Sequence, residues 1–94
     1  MVCVWQSASA ARVGANKSND YTYQYESIFG RTFDETPLVL VDWFNAAATL
    51  GSYGMCQVCV KSVGKTSVTL AAYNGSDSTV NLFLRVIAIS RDPL

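Results

Sequence analysis

The chain contains no histidine. That absence removes the residue that most often serves as general base, and with it the usual way of activating a Ser, Thr or Cys nucleophile. It also removes the commonest partner of cysteine at zinc sites, and three cysteines alone fall short of the four ligands a structural zinc needs. There is no net charge, with seven basic and seven acidic residues. The basic residues Arg12, Lys17, Arg31, Lys61, Lys65, Arg85 and Arg91 are scattered and form no stripe. Nucleic-acid binding, which draws most of its affinity from phosphate contacts, is therefore not expected. No apolar run approaches the roughly 18–20 residues needed to cross a bilayer, so membrane insertion is not expected either. Met1–Trp5 is too short for a signal-peptide core and no basic residue precedes it. The expectation is a chain made in a cytosol, with Cys3, Cys56 and Cys59 as free thiols.

What the chain has in abundance is apolar residues, at half of all positions. Ninety-four residues make one domain, whose core is thin because so short a chain buries only about 60–65% of its unfolded surface. Such a composition favours an oligomer. The organising stretch is Val80–Ser90. One parity holds Val80, Leu82, Leu84, Val86 and Ala88, and the other Asn81, Phe83, Arg85, Ile87 and Ile89. Successive side chains of a strand point to opposite faces, so this strand is greasy on both. Leu38–Val41, continuing to Phe44, shares the property. A sheet in a lone two-layer domain shows one wet face. The second face here must be covered by more of this chain or by another copy of it.

The remaining pattern predicts short strands separated by turn residues, the pattern of an all-β sandwich. Residues 2–5 can form a short strand. Residues 6–20 are small and polar, with no period, and read as a loop, linker or arm. The domain proper is then 21–94. Tyr21–Phe29 reads as a strand, since Tyr21, Tyr23 and Tyr25 share one parity with Ser27. Gly30-Arg31 reads as a turn, and Asp34–Pro37 as a polar break. Asn45–Gly54 reads as a long loop, Met55–Val63 and Ser67–Tyr73 as strands around a turn at Gly64–Thr66. Asn74-Gly75 opens a second turn.

Candidate chemistry is sparse. Cys56 and Cys59 have the spacing of a metal or redox pair, but in a strand their sulfurs diverge, so packed inert thiols are expected and no metal or cofactor is implied. Asp42 and Glu26 are expected in strands, where the two carboxylates could face each other; surface charge or a salt bridge is the plainer reading, and no enzyme is expected. Arg85 lies in the most apolar strand, where a buried guanidinium must be paired, with Glu26, Asp42 or a neighbouring subunit's carboxylate as candidates. Trp43, Tyr53 and Tyr73 lie near loops, where an aromatic ring could stack on a sugar; for Trp43 a core or interface place is preferred.

The order Phe29-Gly-Arg-Thr-Phe33, Thr36-Pro37-Leu-Val-Leu-Val41, Val58–Val68 and Arg85-Val-Ile-Ala-Ile-Ser90 resembles the H-type lectin domain and similar small domains at the tips of bacteriophage tail fibres. The match spans about residues 21–90. The resemblance implies a six-stranded antiparallel β-sandwich that assembles as a parallel homotrimer on a virion and binds a bacterial surface glycan. It implies a sugar site built from an aromatic-plus-polar pair before the last strand, here Tyr73 and Asn74. It also implies an arginine near the start of the strand that here begins around Met55, where this chain reads Gly54-Met55. The alternative expectation is a structural trimerisation cap or virion protein without a small ligand.

Overall fold

Every second residue of strand β7 (Val80–Ile89) is sealed from solvent: Val80, Leu82, Leu84, Val86 and Ala88 have no exposed surface. The computed structural model, which describes residues 1–45 and 52–93, places this strand at the centre of one sheet. On one side β4 (Leu38–Asn45) pairs antiparallel along its length, from Leu38↔Ile89 to Asn45↔Leu82. On the other, β1 (Val2–Gln6) pairs with the C-terminal half and β2 (Ala11–Val13) with the N-terminal end. Between them Ser7 continues the ladder: its N–H donates to the Leu84 carbonyl at 2.9 Å, and its hydroxyl accepts the Leu84 N–H at 3.0 Å. β1 and β2 are therefore two pieces of one interrupted edge, and the sheet is three strands wide.

The second sheet has the order β3–β6–β5, with β3 at Lys17–Gln24, β5 at Cys56–Val63 and β6 at Ser67–Asn74. All pairings are antiparallel. Val68, Leu70 and Ala72 of β6 face the buried row of β7 and complete the core with Val13, Tyr25, Phe33 and Val39. The expected antiparallel sandwich is the observed one, with seven strands in place of six because the edge beside β7 is divided into β1 and β2.

Two segments differ from expectation. Residues 11–13 and 17–20 are strands, although they read as loop; their pairing is imposed by β7 and β6, while their own outward residues are polar and give no apolar alternation. Tyr21–Phe29 is not one strand. After Gln24 the chain turns into a short helix α1 (Tyr25–Phe29), closed by Gly30 in the left-handed region at φ 74°, whose N–H donates to the Glu26 carbonyl at 3.1 Å. That conformation suits glycine, which has no Cβ to clash. The helix carries the Tyr25 ring into the core, edge-on to Phe33 with centroids 5.1 Å apart. Consequently Glu26 is an exposed helical residue, not a strand residue facing Asp42.

The two sheets present opposite outer faces. On β3–β6–β5 the outward residues include Ser18, Asp20, Thr22, Gln24, Gln57 and Lys61, with Lys61 bridged to Asp20 and the Thr22 and Thr69 hydroxyls 2.8 Å apart. This is the wet face. On β1–β7–β4 the registers align Val2, Ile89 and Leu38 in one row, Val4, Ile87 and Leu40 in the next. Val2, Val4, Leu38 and Leu40 are 44–64% exposed. The two-faced character read from the sequence is thus a feature of the folded chain.

Candidate functional site

The turn residues Asn74–Ser78 join β6 to β7 at the end of the sandwich where β3 begins. Tyr73 and Asn74, adjacent in sequence, point to opposite faces. Asn74 is fully buried. Its Nδ2 lies 3.1 Å from the carbonyls of Val13 and Gly14 and 2.7 Å from that of Ser78. Its Oδ1 accepts the Ser76 N–H at 2.9 Å and the Ser76 hydroxyl at 2.7 Å. The amide is saturated by the protein itself. Its work is to hold the β6–β7 turn against the β2–β3 turn. Tyr73 is 47% exposed. Its ring lies over Gly75, where an added Cβ would stand 3.1 Å from Cε1, and Met55 beside it is also exposed. Tyr53 belongs to a 3-10 turn, Ser52–Met55, but its side chain lies outside the described residues. Trp43 faces inward and packs against the core, as preferred.

Arg85 is not buried between the sheets. It stands on the apolar outer face, opposite Asp42 in register, and the two form an ion pair with side chains 39% and 52% exposed. The guanidinium also lies 5.2 Å from the Phe44 ring, which stacks on Phe83 with centroids 5.0 Å apart. Glu26 enters no ion pair among the described residues. The pair thus sits at the border of the aliphatic rows, flanked by Gln6 on β1.

Cys56 and Cys59 diverge as the strand geometry requires: Cys56 is buried and Cys59 exposed. Burial pushes the Cys56 thiol up, which keeps it protonated and unreactive. At the opposite end of the sandwich Asp92 acts as a clasp. Its carboxylate accepts the N–H groups of Glu35 at 2.8 Å and Asp34 at 3.1 Å and pairs with Arg31 at 2.8 Å. These contacts hold the Asp92 carboxyl below the usual carboxylate range, the two backbone N–H groups first, with burial opposing and Arg31 assisting.

One grouping was not anticipated. Trp5 of β1 and Tyr23 of β3 stand 4.7 Å apart between centroids, inclined at 52°, with Tyr21 beside them. With Ser7, Ala8, Ser9, Ala10 and Ala11 they line a groove of about 280 Å³ on the flank of the sandwich. The Tyr21 hydroxyl lies 3.3 Å from the Asn19 amide, which donates to it, and 3.5 Å from the Arg12 carbonyl. Burial, and then the neighbouring Tyr21, raises the Tyr23 phenol. The sequence signal was the shared parity of Tyr21 and Tyr23. Their meeting with Trp5 depends on β1 and β3 becoming neighbouring edges of two different sheets, which no local pattern states.

No helix among the described residues is long and apolar enough to cross a membrane. No protein-family model matches the chain, and no curated protein matches it. Solved structures do. An N-truncated R1-type pyocin tail fibre aligns over 93% of this chain and 67% of its own, with a TM-score of 0.68 at 19% identity. A C-terminal portion of the P. aeruginosa R1 pyocin fibre aligns over 93% of this chain at TM-score 0.67 and 19% identity, and the chain spans 22% of its length. At this identity the likeness is one of fold.

Proposed function

We propose that this chain is the receptor-recognising tip of a phage tail fibre or related adhesin, binding a bacterial surface glycan without catalysis and acting as a homotrimer. The observation that carries the reading is the outer face of β1–β7–β4. Six aliphatic side chains, Val2, Val4, Leu38, Leu40, Ile87 and Ile89, form two rows on it, while the opposite sheet is polar. Burying apolar area contributes about 25 cal/mol per Å², so a few hundred Å² per chain favours association by several kcal/mol. A second copy is the natural occupant, because a closed ring of identical subunits gives every copy the same covering. The fold shared with pyocin tail fibres supports a place in a fibre, and hence on a virion assembled in a host cytoplasm. The resemblance to H-type lectin domains favours three copies over two. In this reading Tyr73, exposed over Gly75, is the ring offered to a sugar, and Asn74 sets the turn that presents it.

Light scattering at low micromolar concentration on the chain should give a mass near three times 10.2 kDa. Leu40→Asp should leave a folded chain of one third that mass. A glycan array probed with the assembled wild type should show retention that Tyr73→Ala reduces. A well-folded wild-type monomer would overturn the trimer. An assembled chain retained by no glycan would favour a structural cap, the second reading, which the saturated Asn74 amide also supports.

A further inference from the structure

The flank groove between Trp5, Tyr21 and Tyr23 has no part in the apolar outer face or the Tyr73 turn. We infer that it is a subsite for one or two rings of a neutral saccharide; the inference rests on the glycan-binding reading and gives it a second place on the chain.

Three features of the groove select that class of ligand. Its aromatic wall is partly buried, packed against the core but not sealed, where the same flank could have been closed. One inward position further along β3's line, Tyr25 is fully buried, packed against Phe29 and Phe33. At Trp5 and Tyr23 the rings instead border open space. An aromatic face that stays accessible suits the C–H face of a pyranose, because its π-system carries negative charge on the faces and the sugar's C–H groups are weakly positive. The second wall is polar without being charged. Ser9 brings an exposed hydroxyl, whereas that of buried Ser7 is held by the Leu84 N–H, and the peptide groups of Ala8, Ser9 and Ala10 fall in the break between β1 and β2, where they take part in no ladder pairing. Such groups are donors and acceptors for sugar hydroxyls. Finally, no Asp, Glu, Lys or Arg among the described residues lines the groove. An acidic sugar or phosphate would find no counter-charge, and a lipid tail would leave the Ser9 hydroxyl and the peptide groups unmatched. The volume of about 280 Å³ lies at the small end for ligand sites, which limits occupancy to a ring or two.

The experiment uses the intact assembled chain, labelled with ¹⁵N, and the free neutral sugars glucose, galactose, mannose, rhamnose and N-acetylglucosamine as probes. Addition of a binding sugar should shift the Trp5 indole N–H and the amides of Ser7–Ala11. Ser9→Trp, which fills the groove from an exposed position, should weaken that binding by about tenfold or more, with circular dichroism and oligomer mass unchanged. Ala8→Trp serves the same end should Ser9→Trp fail to fold. Tyr73→Ala should leave the groove shifts in place. Sugar-induced shifts confined to Tyr73 and Gly75, and surviving the filling variants, would overturn the groove as a subsite while leaving the glycan reading standing. Groove amides that respond to protein concentration and to no sugar would overturn it in favour of a second copy as occupant. Silence towards every free sugar and every array glycan would remove both the subsite and the reading it rests on.

Discussion

The side-chain amide of Asn74 reaches the carbonyl of Val13 across sixty-one positions of sequence, at 3.1 Å. One buried residue therefore ties the turn before the last strand to the end of β2, and through Ser76 organises its own turn. Asn74→Ala would take the donor from the Val13 carbonyl and the acceptor from the Ser76 N–H, while Gly14 keeps the Lys17 N–H at 3.2 Å and Ser78 keeps the Ser76 hydroxyl at 2.9 Å. Buried groups left unsatisfied cost about 1–3 kcal/mol each, so with two such groups the variant should lose about 2 kcal/mol or more. Urea unfolding at fixed protein concentration measures it, and a loss below about 1 kcal/mol would show that water replaces the amide.

Tyr25 offers the reverse case. Its ring is packed, yet its hydroxyl is buried with no hydrogen-bond partner among the described residues. Tyr25→Phe removes the unsatisfied group and keeps the ring. It should raise stability by about 1 kcal/mol, or Tm by about 4–8 °C for a domain of this size. A lower Tm would mean that the hydroxyl has a partner.

The Asp92 clasp should be sensitive to acid. Its carboxyl is held below the ordinary value of 3.8, so the ionised form is favoured in the folded state. Stability from the clasp is then fully present above that ordinary value and is lost as pH falls through the lower folded value. The Tm difference between wild type and Asp92→Asn should be constant near neutrality and shrink below pH about 4. A difference independent of pH would assign it to packing alone.

Arg85 and Asp42 form a pair that is half in water in the single chain, and such pairs contribute about 0–1 kcal/mol. Covered by another copy, the same pair is desolvated, and losing one partner strands the other charge. Arg85→Met should therefore leave the circular dichroism intact but move the mass towards the monomer on dilution. Arg85→Met combined with Asp42→Leu should recover assembly. Unchanged assembly in the single variant would place the pair outside the contact.

The strands from β4 onward were legible because each signal was local: parity in Val80–Ile89, a glycine turn at Gly64, an Asn-Gly pair at residues 74–75. Lys17–Asp20 was not, since its strand character is lent by β6 and its side chains are polar by themselves. Helix α1 was missed because Tyr21, Tyr23 and Tyr25 keep strand alternation one residue too far, and five residues are too few to show a helical period. Among the functional candidates, parity located Arg85 on the right strand and could not tell which face would be covered. Asn74 was legible as a turn residue from Gly75 and as a candidate ligand contact from Tyr73 beside it, but its burial and its tie to Val13 are not stated by the sequence.

The Met1 carbonyl accepts the Ser90 N–H at 2.9 Å, so the first and last strands come side by side at one pole of a body 46 Å long. The Tyr73 turn lies at the other pole. A biotin or tether fused at either end therefore anchors the molecule in the same orientation on a sensor chip, with the turn directed into the flow. Measurements on the two formats should be interchangeable, which makes the choice of tag a control and not a variable.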